Sequence, residues 1–387
     1  MPPVQEDRLF TPRFFVMCGF TFTVFVSGFM LFPSAPFHVL DLGGTEFTAG
    51  LFLGFFTYAS AFSAPFTGAL ADRFGKGRVL FVASVSLIVI CILYAASPTY
   101  AMLLTVVPVH GMFWSGLMTA SGAYLVDQIP DSRRAEGLAY WGLAIVAAIA
   151  VAPPLAFWLY RWGWLWICMA SGAANVLMAA IAFTLEDRSP VPVGADKNSR
   201  GAAGFIEWRV LSVSLTLFLF TFGYGGITSF IALYAEANRA PRGIYFTVLA
   251  LVILVTRPLS GRLADRIGHK KVLLPCLVLM AIGLGLLVPG GSLPWLLASA
   301  VVFGLGFGSA FPVYSAYIMQ HVATARRGAA FGAMLAAFDT GIGTGSIVLG
   351  YVIEIADYGT AYGIAAALAA LALPFFLVKE PRLLRPR

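Results

Sequence analysis

Charge is what this 387-residue sequence has least of: Asp, Glu, Lys and Arg make up 11% of it, against 59% hydrophobic residues. A soluble domain carries roughly 25% charged residues. Its surface must meet water, so a soluble fold cannot hide this much apolar area. A bilayer supplies the second apolar environment. Cysteine is scarce too. Cys18, Cys91, Cys168 and Cys276 each lie inside an apolar run without ligand-like spacing, so neither a zinc site nor a disulfide is expected. The N-terminal Met-Pro-Pro-Val-Gln-Glu-Asp-Arg lacks a basic n-region and a small-residue cleavage site. No cleaved signal peptide is expected, and the first apolar run stays as a span. Nucleotide-binding loops, nucleophile–base pairs and metal constellations are also missing. ATP is therefore not the direct energy source, no cofactor is expected, and enzyme chemistry is disfavoured.

What is present is a series of twelve apolar runs: 12–33, 47–71, 78–97, 100–126, 137–160, 163–185, 208–235, 243–264, 272–290, 293–319, 328–353 and 359–378. Each is near the roughly 20 residues a bilayer core requires. The runs are long and continuous rather than short and alternating, which argues against strands. If both termini are cytoplasmic, 21 of the 25 Lys and Arg residues fall inside, Arg161, Arg239 and Arg242 fall outside, and Arg257 lies within a span. The opposite orientation inverts that ratio, so the positive-inside rule predicts twelve spans with both ends inside. The net charge of +7 comes from short clusters between the runs. It forms no single basic face, so no nucleic acid is expected as partner. The stretch Glu186–Arg209, with Pro190, Pro192, Gly194, Gly201 and Gly204, has linker composition. The expected organisation is an N-terminal six-helix bundle over 1–187, a cytoplasmic linker over 188–207 and a C-terminal six-helix bundle over 208–387.

The two halves repeat at an offset of 193 residues. Residues 65–80 align with 258–273, and nine of these sixteen positions are identical. The same offset carries Tyr124 onto Tyr317 and Arg133-Arg134 onto Arg326-Arg327. A parallel repeat of six spans places a pseudo-two-fold along the membrane normal, with a site at the midplane between the halves. In the repeated loops, Gly68 and Gly261 remove bulk near a helix end, which lets a neighbouring helix approach. Asp72 and Asp265 sit at helix C-termini that disfavour a carboxylate, so donors are expected from an adjacent helix. Gly75 and Gly268 permit the tight turn. Arg73, Arg266, Asp127, Arg133, Arg134, Arg326 and Arg327 complete a charged cytoplasmic clasp that also anchors the topology.

These loops resemble the signature of the major facilitator superfamily, Gly-x-Leu-Ala-Asp-Arg-x-Gly, which stands at Gly68–Gly75 and again at Gly261–Gly268. The resemblance covers nearly the whole chain. It implies an all-α membrane protein with twelve transmembrane helices, two pseudo-symmetric six-helix bundles and both termini cytoplasmic. Within the superfamily the chain is similar to the bacterial arabinose-efflux-like and multidrug efflux branch, through Phe311-Pro312, Arg327-Gly328-Ala329-Ala330 and Phe338-Asp339. Ala152-Pro153-Pro154 looks like a worn antiporter motif, with Ala152 where glycine is usual. Val107 stands where proton-linked members often carry an arginine.

Charge within the bilayer costs about 2.5 kcal/mol or more per central group, so each such residue requires a reason. Asp339 falls near mid-depth of the eleventh run, with Gly341, Gly343 and Gly345 leaving room for water or close packing. It reads either as a carboxylate that couples proton flow to solute flow or as one hydrogen-bonded between helices for structure. Arg257 has Ala64 at its repeat position. It either binds an anionic part of the solute, pairs with Asp339, or snorkels. His110 is a second proton-coupling candidate, or a hydrogen-bonded packing residue. Phe29, Tyr58, Trp114, Tyr224, Tyr314 and Tyr317 are the aromatic cavity candidates. A cavity of this kind suits an amphipathic organic solute.

The expected function is secondary active transport of a small amphipathic solute by alternating access, with proton-coupled export leading. A uniporter or importer of an organic, even anionic, metabolite is the alternative, and a non-transporting receptor or assembly protein is the rival of another class. The expected partners are solute, protons and bilayer, with the chain monomeric and multi-pass in the cell inner membrane.

Overall fold

The computed structural model describes residues 9–130, 133–185, 208–323 and 326–384. The expected linker, 188–207, lies outside the described residues, as do residues 186–187 of the expected N-terminal bundle. Among the described residues thirteen α-helices follow one another: α1 (Pro12–Leu31), α2 (Ala35–Asp41), α3 (Glu46–Phe74), α4 (Lys76–Ala96), α5 (Tyr100–Gln128), α6 (Arg134–Tyr160), α7 (Trp164–Thr184), α8 (Trp208–Ala237), α9 (Ile244–Ile267), α10 (His269–Gly285), α11 (Leu293–Gln320), α12 (Arg327–Ile355) and α13 (Tyr358–Leu384). Eleven described helical segments are long and apolar enough to cross a membrane. The helix α10, with 17 residues, is shorter.

Helix starts are set by side chains that satisfy orphan N–H groups. Thr11, Thr45 and Thr99 accept from Phe14, Thr48 and Met102 N–H at 3.2, 3.3 and 3.3 Å. Helices α3 and α9 stop at Gly75 and Gly268, whose φ/ψ values of 99/144° and 97/140° are nearly the same, as a true repeat requires. That region is essentially closed to residues with a Cβ. Gly75→Ala or Gly268→Ala is therefore expected to cost about 1–3 kcal/mol, read as a lower melting temperature in detergent. Gly68→Ala, whose Cβ meets nothing within 4 Å, should leave melting unchanged. Equal melting of all three variants would remove the strain argument.

Within the N-terminal half α1 packs on α6 and α7, α3 on α5, and α4 on α5 and α7; in the C-terminal half α8 packs on α12 and α13, α9 on α11, and α10 on α11 and α13. Two main seams join the halves, α3 against α12 and α6 against α9, with smaller contacts of α2 and α3 on α8. Glycine lets backbones meet at the first seam: a Cβ on Gly50 would lie 2.4 Å from the Ser346 carbonyl oxygen, and one on Gly350 2.5 Å from that of Glu46. Hydrogen bonds run along it from Phe47 N–H to Glu354 Oε2 (3.1 Å), through Ser346 Oγ to Gly50 O (2.9 Å), to Tyr58 Oη with Thr344 Oγ1 (2.7 Å).

The second seam rests on proline chemistry. Pro154 has no N–H, so the Ala150 carbonyl loses its helical partner. Thr247 Oγ1, from the other half, donates to it at 3.3 Å. Gly243 packs on Pro154, its Cβ position 2.9 Å from Pro154 Cα. The innermost contact of this seam joins Arg257 Nη1 to Gly142 O at 3.5 Å. Beyond Tyr58 and Arg257, toward Gly75 and Gly268, the side chains of Phe62, Phe66, Leu259 and Leu263 are exposed. The described cross-half contacts thus close the end bearing Glu46 and Glu354, and the halves part toward the end bearing the repeated loops.

Candidate translocation site

The two charges read from the sequence stand where the seams end. On α12, Gly343, Ile347 and Gly350 face α3. Asp339 is one turn before Gly343 on the same stripe, because residues four apart share a helix face. It is half-buried and makes no hydrogen bond or ion pair among the described residues. The glycines beside it are filled by protein, not water: Gly341 by Thr221 and Phe218, Gly343 by Thr57, and Gly345 by the Phe222 carbonyl. No packing partner holds the carboxylate for structure.

Arg257 is held by two backbone carbonyls. Pro312 removes the N–H that would bond Gly308 O, and Arg257 Nε donates to that oxygen at 3.3 Å. Nη1 reaches Gly142 O of the opposite half. Of the alternatives for Arg257, pairing with Asp339 is not made, and among the described residues no carboxylate lies within ion-pair distance.

The aromatic candidates divide. Tyr224 stacks on Phe307 with centroids 4.2 Å apart, and Phe338 follows at 6.3 Å from Phe307 and 5.0 Å from Phe311. Phe307, Phe311 and Phe338 are half-buried, and Phe307 and Phe338 adjoin Gly308 and Asp339 in the chain, whereas Tyr224 is buried. Tyr58 sits at the inner edge of the α3–α12 seam. Phe29 and Trp114 belong to the packed interior of the N-terminal half, where Trp114 fills the space over Gly28. Tyr314 and Tyr317 also turn away from the interface. Tyr314 is fully buried, with its hydroxyl 3.5 Å from Ser214 Oγ and its ring on Phe376. Tyr317 donates to Glu380, which also accepts from Lys270. His110 is interior as well, its Nδ1 3.1 Å from Tyr94 Oη and its ring edge-on to Phe56.

At the open end, the clasp expected around Asp72 and Asp265 is not made. Both are exposed and unpartnered among the described residues, because no opposing helix reaches them there. For the same reason nothing approaches Gly68 or Gly261. Among the ion pairs at this end is Lys76 with Asp127 at 2.5 Å. Its repeat mates, His269 and Gln320, are bonded at 3.3 Å, so the offset of 193 survives as a contact between different side chains. Arg133 pairs with Glu136 on its own helix. Arg73 lies over the Phe74 ring, Arg266 and Arg327 are exposed, Arg326 caps α12, and the Arg134 side chain lies outside the described residues.

Residues the sequence reading missed include Thr247, Thr344, Gly142 and Glu380. The signal for part of this was available: a proline frees the carbonyl four residues earlier, which marks Ala150 and Gly308 as acceptors. At the closed end a cleft of about 750 Å³ gathers Arg161, Arg239 and Arg242 with Glu236. Arg242 pairs with Glu236 and lies 4.8 Å from the Phe37 ring centroid.

Two helical bundles joined around a charge-bearing interface have the architecture of a membrane transporter, not of an enzyme. The Major Facilitator Superfamily profile matches residues 17–241 and 242–387, and the chain belongs to that family. It is 27% identical over 352 residues to the uncharacterized MFS-type transporter YhhS of Escherichia coli K12, covering 87% of this chain and 85% of that protein. Among solved structures it resembles the peptide transporter POT in complex with sulfate (TM-score 0.79, 14% identity, 96% and 94% covered). It also resembles the nucleoside transporter NupG (TM-score 0.72, 16% identity, 96% and 99% covered). These likenesses show the fold.

Proposed function

We propose that the chain is a proton-coupled exporter of a small amphipathic organic solute, of the bacterial efflux type, and that Asp339 is its proton carrier. The observation that carries this reading is the position of Asp339: a carboxylate without a partner among the described residues, within an apolar span, at the inner edge of a seam that must open and close. A group so placed can exchange its proton as access alternates, and a neutral form suits the apolar environment. His110, already engaged by Tyr94, is a packing residue in this reading.

The chain crosses the bacterial inner membrane twelve times as a monomer, with six-span units 1–187 and 208–387 joined by the cytoplasmic linker 188–207. Helix α10 supplies the remaining span: its 17 residues rise roughly 26 Å, and Leu286–Val288 prolong it through turn hydrogen bonds. The 21-to-3 distribution of Lys and Arg supports cytoplasmic termini. In that orientation the structure is closed outside and open to the cytoplasm, with the Asp72 and Asp265 loops disengaged.

The test uses purified protein in liposomes with an interior pH dye, screened against amphipathic compounds. Wild type should move protons when a transported solute is added. Asp339→Asn should lose proton-dependent uphill transport while still binding solute. Undiminished uphill transport by that variant removes Asp339 from the mechanism.

A further inference from the structure

The guanidinium of Arg257 has five N–H donors. Only two acceptors meet it, both neutral carbonyls at 3.3 and 3.5 Å, the long end of hydrogen bonding. The first fixes the head group. Pro312 leaves Gly308 O without a helical donor, so Nε is drawn to α11 and the fork is aimed rather than free to swing. The second carbonyl, Gly142 O, belongs to the other half. The donors left over face a charge deficit, since no carboxylate of the described protein lies within ion-pair distance. A guanidinium fork matches a carboxylate in geometry and in charge.

The rest of the occupant is set by the apolar side chains near α11 and α12. Phe307 and Phe338, both half-buried, lie with ring centroids 6.3 Å apart, and Phe307 stacks on the buried Tyr224. A ring-bearing, apolar body fits such side chains, since aromatic faces reward offset stacking. The charge count sets an upper limit. Arg257 supplies one positive charge, and Asp339 adds a negative charge whenever it is ionised, so a dianion would be opposed where a monoanion is balanced.

We infer that the solute is an organic monoanion, a carboxylate on an apolar ring-bearing body, with Arg257 as its counter-ion and the half-buried Phe307 and Phe338 as its apolar neighbours. This rests on the transporter reading only in taking the space between the halves as the solute path. It names the substrate class and gives Arg257 a second duty: the anion completes the shell of a group that also touches Gly142, so solute occupancy is linked to the α6–α9 seam.

The experiment is equilibrium binding to the purified full-length protein in nanodiscs, using 2-naphthoate and its neutral isostere 2-naphthamide as probes. Wild type should bind the carboxylate more tightly by roughly tenfold or more, the worth of one charge-assisted hydrogen bond. Arg257→Gln should erase that preference, and Arg257→Lys should restore part of it. Equal affinity for the two probes on wild type overturns the inference, as does a preference that survives Arg257→Gln, or the lack of saturable binding of either probe. The wild-type comparison needs no variant to fold. Because binding needs no proton gradient, its failure is distinct from a failure of coupling through Asp339.

Discussion

Gly345→Leu is expected to abolish stable folding of the C-terminal half. A Cβ at that position would lie 1.8 Å from the Phe222 carbonyl oxygen, an atom in the backbone of α8 that no side-chain rotation can move. The contact is not isolated. Gly341 would meet Thr221 Oγ1 at 2.1 Å, and Gly225 of α8 would meet Ile342 O at 2.0 Å. Helices α8 and α12 thus touch backbone to backbone over two turns, the kind of association that lipid-embedded helices obtain from packing. Overpacking costs about 1–3 kcal/mol where neighbours yield, and these cannot. Most of the monodisperse protein should be lost, and the remainder should melt roughly 10 °C lower. Gly332→Leu on the same helix, where a Cβ meets open space, should express and melt as wild type. Normal yield and melting for Gly345→Leu would mean that α8 and α12 are not apposed.

The contrast between Gly332 and Gly345 shows what sequence can and cannot say of a membrane protein. The runs 47–71 and 100–126 come out as α3 and α5 within a few residues, because span length is dictated by bilayer thickness. The turns at Gly75 and Gly268 were legible because a local conformation needs a local residue. Asp339 and Arg257 stood out because charge in an apolar run is rare. The direction each side chain faces was not legible. In a soluble helix the polar face marks the outside. Here lipid and core are both apolar, so nothing in the run 293–319 tells that Tyr314 and Tyr317 point into their own bundle. The short helix α2 escaped for a related reason: it begins at Ala35-Pro36, just past a span end, where loop composition hides a single helical turn or two. The clasp residues illustrate a third limit. Asp72 and Asp265 carry the same sequence in any conformation, and whether they have partners depends on which end of the molecule is open.

That dependence yields the other large effect, in Gly50→Leu. Gly50 faces the Ser346 carbonyl of the opposite half, 2.4 Å from where its Cβ would be, and Ser346 Oγ donates to Gly50 O. The clash is as severe as a backbone contact within a bundle, yet its two sides are joined only in the closed-end state. The molecule can escape it by parting α3 from α12 without unfolding either half. A penalty of about 3 kcal/mol against one state shifts a two-state equilibrium by roughly a hundredfold. Gly50→Leu should therefore remain folded and monodisperse, with transport of any substrate reduced by about that factor. Access should invert as well. A Ser346→Cys reporter, buried in the seam beside Ser229 (2.7 Å), should resist a membrane-impermeant maleimide applied from the Glu46 side. Combined with Gly50→Leu it should react from that side. Wild-type transport together with an unreactive reporter would show that the α3–α12 seam is not the gate. Loss of folding would place Gly50 with Gly345, as part of a rigid core rather than of a joint that opens.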